Sequence, residues 1–150
     1  MKRKIILAVV VLIVVAAIIG YRMYSKKVAN YADEKPDVTI TATELVQAFD
    51  ADTASASKRF LDKIVRVSGV VKSKDSSAVV LGEEGNPSDV VVGLDDRNVS
   101  GLSKVAVGQT ATLQGKLSGY SKQSGDSDDL LSSLAGTTVN IDYAGVITKQ

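Results

Sequence analysis

Apolar residues run along this chain in three regimes: one unbroken stretch, then a helical period, then strict alternation. The unbroken stretch is residues 5–19, preceded by Met1-Lys2-Arg3-Lys4 and followed by Arg22, Lys26 and Lys27. Basic flanks around an apolar core are the pattern of a membrane-inserted helix. Fifteen residues rise only about 22 Å, against a hydrocarbon thickness of about 30 Å. Gly20, Tyr21, Met23 and Tyr24 lengthen the helix, the tyrosines suit the headgroup zone, and Arg22 can snorkel outward. The pattern therefore predicts a basic tail over 1–4 and a transmembrane anchor over 5–24. A cleaved signal peptide would need a small-x-small site directly after the run, which residues 20–26 do not offer. Residues 25–38 show no apolar period and read as a stalk.

The helical period appears over 41–61. Thr41 and Glu44 have the spacing of a capping box, and Leu45, Phe49, Ala56 and Phe60 recur on one face. Asp50-Ala51-Asp52 marks a break that would make this two helices. Both phenylalanines of the chain lie on that face, so packing is its expected task.

From Lys63 the period drops to 2. Val65, Val67, Gly69 and Val71 alternate with Arg66, Ser68, Val70 and Lys72 in a first long strand, with Gly69 as its bend. Short strands follow at 78–81 and 89–95, then an irregular or helical turn at 98–106. A fourth strand carries Ala111, Leu113, Gly115 and Leu117 on one face, and a fifth, over 138–148, carries Val139, Ile141, Tyr143, Gly145 and Ile147. Five strands, one of them bent, with a short helical insert between the third and fourth, predict a mainly β chain. After the transmembrane helix come an amphipathic helix and a five-stranded OB-fold barrel: one domain over 39–150, with the helix at 41–61 and the barrel at 63–148.

Three segments carry a family resemblance as well. Ala42-Thr43-Glu44-Leu45-Val46-Gln47-Ala48-Phe49 is the first, and Lys58-Arg59-Phe60-Leu61-Asp62-Lys63-Ile64-Val65-Arg66-Val67-Ser68-Gly69-Val70-Val71 the second. The third is Val107-Gly108-Gln109-Thr110-Ala111-Thr112-Leu113-Gln114-Gly115-Lys116-Leu117-Ser118-Gly119-Tyr120. Together, over 41–147, they resemble the tRNA-anti-like family of bacterial OB-fold domains. The resemblance implies a domain behind a lipoprotein signal or a membrane segment, without a settled biochemical role. RNA binding is not carried over. OB domains that hold single strands use a basic groove with aromatic platforms on the second and third strands, and here 78–81 and 89–95 contain neither aromatic nor basic residues.

Charge divides the chain where hydropathy does. Residues 1–32 hold six of the eighteen Lys and Arg and none of the seventeen Asp and Glu, which leaves the remainder with a net charge of −5. An acidic domain lacks the field that supplies most non-specific nucleic-acid affinity. The positive charges before the apolar run slightly exceed those after it, favouring an inside N-terminus and a periplasmic or extracellular domain. The absence of cysteine excludes a lipidated precursor and a thiolate nucleophile, and the absence of histidine removes the usual general base. No cofactor and no metal are expected.

The remaining motifs read as structure. Ser55-Ala56-Ser57-Lys58 has S-x-x-K spacing without its companion elements, and Gly115-Lys116 lacks the first glycine of a phosphate loop. Asp126, Asp128 and Asp129 could be calcium ligands, but helix capping by Asp126 or Ser127, with Leu130, Leu131 and Leu134 turned inward, accounts for them better. Asp95-Asp96 reads as a solvated strand end. Candidate binding residues are those placed in the loops beside the barrel face: Lys72 and Lys74 after the first strand, and Tyr120 and Lys122 between the last two. Tyr120 either stacks on a ligand or covers the barrel rim. The sequence thus supports a non-catalytic, membrane-anchored binding or scaffolding module of the bacterial envelope, with a protein segment, an oligosaccharide or a small molecule as the open choices of ligand. Binding of single-stranded nucleic acid or of an oligosaccharide through the barrel face is the alternative.

Overall fold

The capping box is made. The Glu44 amide donates to the Thr41 hydroxyl at 3.2 Å, and the Thr41 amide donates to the Glu44 carboxylate at 3.1 Å. The computed structural model describes residues 13–18, 30–122 and 136–147. Helix α1 (Ala42–Ala51) ends at Asp52, whose carboxylate accepts from the Ala54 and Ser55 amides and so starts α2 (Thr53–Phe60). The break expected near residues 50–52 is therefore a single aspartate serving two helices. Ser55 donates its hydroxyl to the same carboxylate, which makes it part of a cap and not of a reactive pair. Leu45, Phe49, Ala56 and Phe60 are all buried, with the two phenyl rings 6.2 Å apart.

Five strands close a barrel: β2 (Ile64–Lys74), β3 (Ala78–Gly82), β4 (Asp89–Leu94), β5 (Thr110–Lys122) and β6 (Thr137–Val146). The pairing runs β2-β3-β4-β6-β5 and back to β2, parallel between β4 and β6 and antiparallel elsewhere, which is the OB-fold. Val65, Val67, Val79, Leu81, Val90, Val92, Leu113, Leu117, Val139 and Ile141 point inward by simple alternation. β2 turns where its ladder partner changes, from Thr110 at Val70 to Leu81 at Val71. Gly69 sits at this change because α1 crosses it: a Cβ there would lie 2.8 Å from that of Ala42. The insert between β4 and β5 is a 3-10 turn, Val99–Lys104, and α1 with α2 covers the other side of the core.

Several expectations change. A further strand, β1 (Val38–Thr41), pairs parallel with β2 where the sequence shows no alternation long enough to register. Residues 30–37, which read as stalk, lie on the barrel as a strap. Gln114 is fully buried beneath it, donating from Nε2 to the carbonyls of Tyr31 at 2.7 Å and Glu34 at 2.6 Å. β6 departs from strict alternation, since an extra residue bulges it between Ile141 and Ala144. Tyr143, expected inside with Val139 and Ile141, instead takes a left-handed backbone (φ 54°) and faces outward, and Ala144 takes the inner position. Gly115 fits opposite that bulge, where a Cβ would lie 2.7 Å from the Ala144 Cβ.

In the predicted anchor, residues 13–18 are helical and exposed; the rest of 5–24 lies outside the described residues. Among the described residues no helix is long and apolar enough to cross a membrane. The reading of Asp126, Asp128 and Asp129, and of the leucines after them, also lies outside the described residues.

Candidate functional site

In an OB-fold the face used for oligomeric ligands is the outer side of the second and third barrel strands, here β3 and β4. Its rungs are Ala78 beside Gly93, Val80 beside Val91, and Gly82 beside Asp89. These residues alternate with the buried Val79, Leu81, Val90 and Val92, so the core pattern that builds the barrel also fixes which side chains face out. The result is shallow and nearly uncharged: nothing larger than valine stands on it except Asp89. Asn140 of β6 continues the Val80–Val91 rung, and Val70, 44% exposed, flanks it on β2.

The four candidate residues do not converge there. None is in a loop, since Lys72 and Lys74 end β2 and Tyr120 and Lys122 end β5. A bulge between Val71 and Ser73 separates the two β2 lysines, which plain alternation would put on one face. Lys72 stays outside, with Nζ 2.9 Å from the Asp89 carboxylate and 2.8 Å from the Asn86 carbonyl. Lys74 shares its rung with the inward Val79 and donates to the Val105 carbonyl at 2.7 Å, closing the 3-10 turn. A second irregularity, between Leu117 and Gly119, puts Tyr120 beside the inward Val139, and its ring lies 4.9 Å from that of Phe49. Of the two readings of Tyr120, rim cover is the one the structure displays, although 40% of the residue remains exposed. Lys122 donates to the Asp50 carbonyl at 3.4 Å, near the C-terminal end of α1 where a cation is favoured.

Other features carry no clear signal in the sequence. A groove of about 140 Å³ runs between α1 and the β3–β4 turn, floored by Ala42, Val46 and Leu81 and edged by Thr43, Asp50 and Glu83. Asp95, read as solvated, is buried and grips Arg97 through both carboxylate oxygens, at 2.7 and 2.6 Å. Those bonds, with a third from the Arg97 amide, hold its pKa down at about 2. Only the spacing Asp95-x-Arg97 hinted at this turn. Lys116 is raised above its usual value, first by its hydrogen bond to Asp62. Among the described residues no cluster of His, Cys, Asp or Glu could hold a metal ion.

A family model described as tRNA_anti-like matches residues 1–125, a range that takes in the N-terminal apolar segment and ends before β6. That range begins earlier and stops sooner than the 41–147 over which the motifs show the likeness. No curated protein matches. Among solved structures, a lipoprotein of Klebsiella pneumoniae subsp. pneumoniae proposed to bind nucleic acid is similar at 20% identity. The similarity covers 73% of this chain and 92% of that one, with a TM-score of 0.49. A Leishmania major protein proposed to be an aspartyl-tRNA synthetase is similar at 11% identity over 84% of this chain, TM-score 0.39. The asparaginyl-tRNA synthetase of Entamoeba histolytica, in complex with asparaginyl-adenylate, is similar at 12% identity over 77% of this chain, TM-score 0.38. The similar regions are 23% and 25% of those two synthetase chains. Likeness at this level does not transfer what those proteins bind.

Proposed function

The chain belongs to the tRNA_anti-like family, and from that premise we propose that it is a non-catalytic binding module of the bacterial envelope, held at the membrane by residues 5–24. Its domain, over 39–150 with the strap before it, faces the periplasm or exterior and engages an extended protein segment across the outer side of β3 and β4. One observation carries this reading: the face centred on Val80 and Val91 has no aromatic platform, and its neighbouring cation, Lys72, is held by Asp89. A single strand of nucleic acid needs both stacking surfaces and uncompensated positive charge. Sugar recognition would also call for an aromatic ring, and the nearest candidate, Tyr120, lies on Phe49. An apolar face with small side chains instead offers surface against which the side chains of an extended segment can pack.

Photo-crosslinking in cells tests it. A crosslinker at Val91 should capture a discrete protein species that the same group at Ser103, an exposed residue of the 3-10 turn, does not capture. Equal patterns from both positions would refute a protein ligand on this face. Saturable, salt-sensitive binding of the detergent-solubilised chain to fluorescent oligo(dT) would replace the reading with single-strand binding.

A further inference from the structure

The strap has a consequence for how the domain meets the membrane. Asn30 is fixed to the barrel: Asn98 donates to its side-chain oxygen at 2.8 Å, and the Asn30 amide nitrogen donates to Asp33. Ala32 and Asn98 both lie over Gly145, where a Cβ would be 2.5 Å from the Ala32 Cβ. The chain therefore leaves the domain at the C-terminal end of β4, beside the β6 bulge. If the anchor ends at Tyr24, only 25–29 separate it from this fixed point, a reach of at most about 20 Å. That is less than the breadth of a domain with a radius of gyration of about 13 Å. A tether so short lets one side of the barrel face the bilayer and holds the opposite side away.

Two tyrosines occupy the near side. Tyr143 is 46% exposed and is turned outward by the left-handed backbone of the bulge; its ring centre lies 6.2 Å from that of Tyr31 in the strap. Tyrosine rings suit the headgroup layer, with an apolar body and a polar tip. Among the described residues of the strap the exposed Asp33, Glu34 and Asp37 outnumber the exposed Lys35, and Lys116 is paired with Asp62, so this surface of the domain offers no net positive field for anionic lipid.

From these observations we infer that the Tyr31–Tyr143 pair is a membrane-contact surface that seats the domain on the neutral headgroup layer, leaving the β3–β4 turn outermost. This rests on the anchored reading proposed above. The protein contains no tryptophan, so a single introduced indole reports its own surroundings. The β3–β4 turn is the control, because it lies at the other end of β4, five residue steps or about 17 Å along the strand. Full-length Tyr143→Trp and Glu84→Trp chains are reconstituted in phosphatidylcholine vesicles with and without brominated acyl chains.

Flotation with the vesicles is scored first. Tyr143→Trp is expected to shift its emission to the blue and lose most of it to the brominated lipid, while Glu84→Trp keeps its emission. Tyr31→Trp should behave like Tyr143→Trp, and it supplies the same reading if the bulge rejects an indole. Chains that float but show equal quenching at 143, 31 and 84 overturn the contact surface and leave the anchor standing. Chains that do not float overturn the anchor and the surface together. A flexible Gly-Ser insertion after Ala29 should preserve flotation and abolish the difference in quenching; a persistent difference would show that the short tether does not hold the domain in place.

Discussion

The helical cap and the strap both cover the barrel from outside its strand ladder, yet they hold to it by opposite means. The cap buries a stripe of hydrocarbon: Leu45, Phe49, Ala56 and Phe60 lie against strand residues such as Leu81 and Leu117 in one apolar cluster. The strap contributes little apolar surface and is fixed through its main chain, whose carbonyls accept from a Gln114 amide that the barrel itself supplies. Arg66 completes that arrangement by donating to the Gln114 side-chain oxygen at 2.8 Å. Burial of hydrocarbon tolerates small shifts, whereas a buried amide whose bonds are removed carries its whole desolvation cost. The cap should accordingly fail by overpacking or cavities, and the strap by loss of single hydrogen bonds.

The largest expected effect is on the cap. Gly69→Val puts a branched side chain where a Cβ alone would be 2.8 Å from Ala42 and 3.4 Å from Leu81, both through side-chain carbons. The N-terminal turn of α1 would have to lift from β2. A destabilisation of at least about 2 kcal/mol is expected in chemical denaturation, the range for overpacked core sites. A change within about 0.5 kcal/mol would mean that α1 rides loosely on the barrel and tolerates overpacking.

The strap comes next. Gln114→Ala leaves the Tyr31 and Glu34 carbonyls and the Arg66 guanidinium without their shared partner, at a cost of about 1–3 kcal/mol. A fragment of residues 30–150 should melt cooperatively, and one of residues 38–150, which drops the strap but keeps β1, should melt lower. If Gln114→Ala lowers the stability of both fragments equally, the glutamine acts through the barrel alone and the strap is passive.

The same contrast explains what the sequence discloses. The cap was legible down to its capping box and its break, because apolar period and capping residues are local signals. The barrel was legible for the same reason, in Val65 and Val67, Val79 and Leu81, Val90 and Val92. The strap was not, since main-chain carbonyls are the same in every residue and Gln114 sits at a position where alternation predicts exposure. β-Bulges were equally hidden. They moved Tyr143 out, set Tyr120 beside Val139 and parted Lys72 from Lys74, so the candidate residues expected in two loops beside the barrel face lie on strand ends instead, while the outer face of β3 and β4 keeps the small residues its alternation places there.

Acid should act most gently, and on both regions. Glu44 and Asp52 in the cap have lowered pKa values, Glu44 first through the Thr41 amide and Asp52 first through the Ser55 hydroxyl. Asp95 lies beside the strap, through Arg97 and Asn98, and is held at about 2. A carboxylate whose folded pKa is depressed contributes stability that is fully present above its unfolded value of about 4 and is lost as pH falls through the folded value. The melting temperature should therefore be level from neutral pH to about 5 and decline between about 4 and 2. Glu44→Gln with Asp52→Asn, which can still cap but not titrate, should make that decline shallower. Asp95→Asn should flatten the part of it near pH 2, since its bonds to Arg97 hold the Asp95 carboxyl at about 2. Superimposable melting profiles for these variants and the parent below pH 4 would show that other carboxylates govern the acid transition, and that neither region titrates as its hydrogen bonds require.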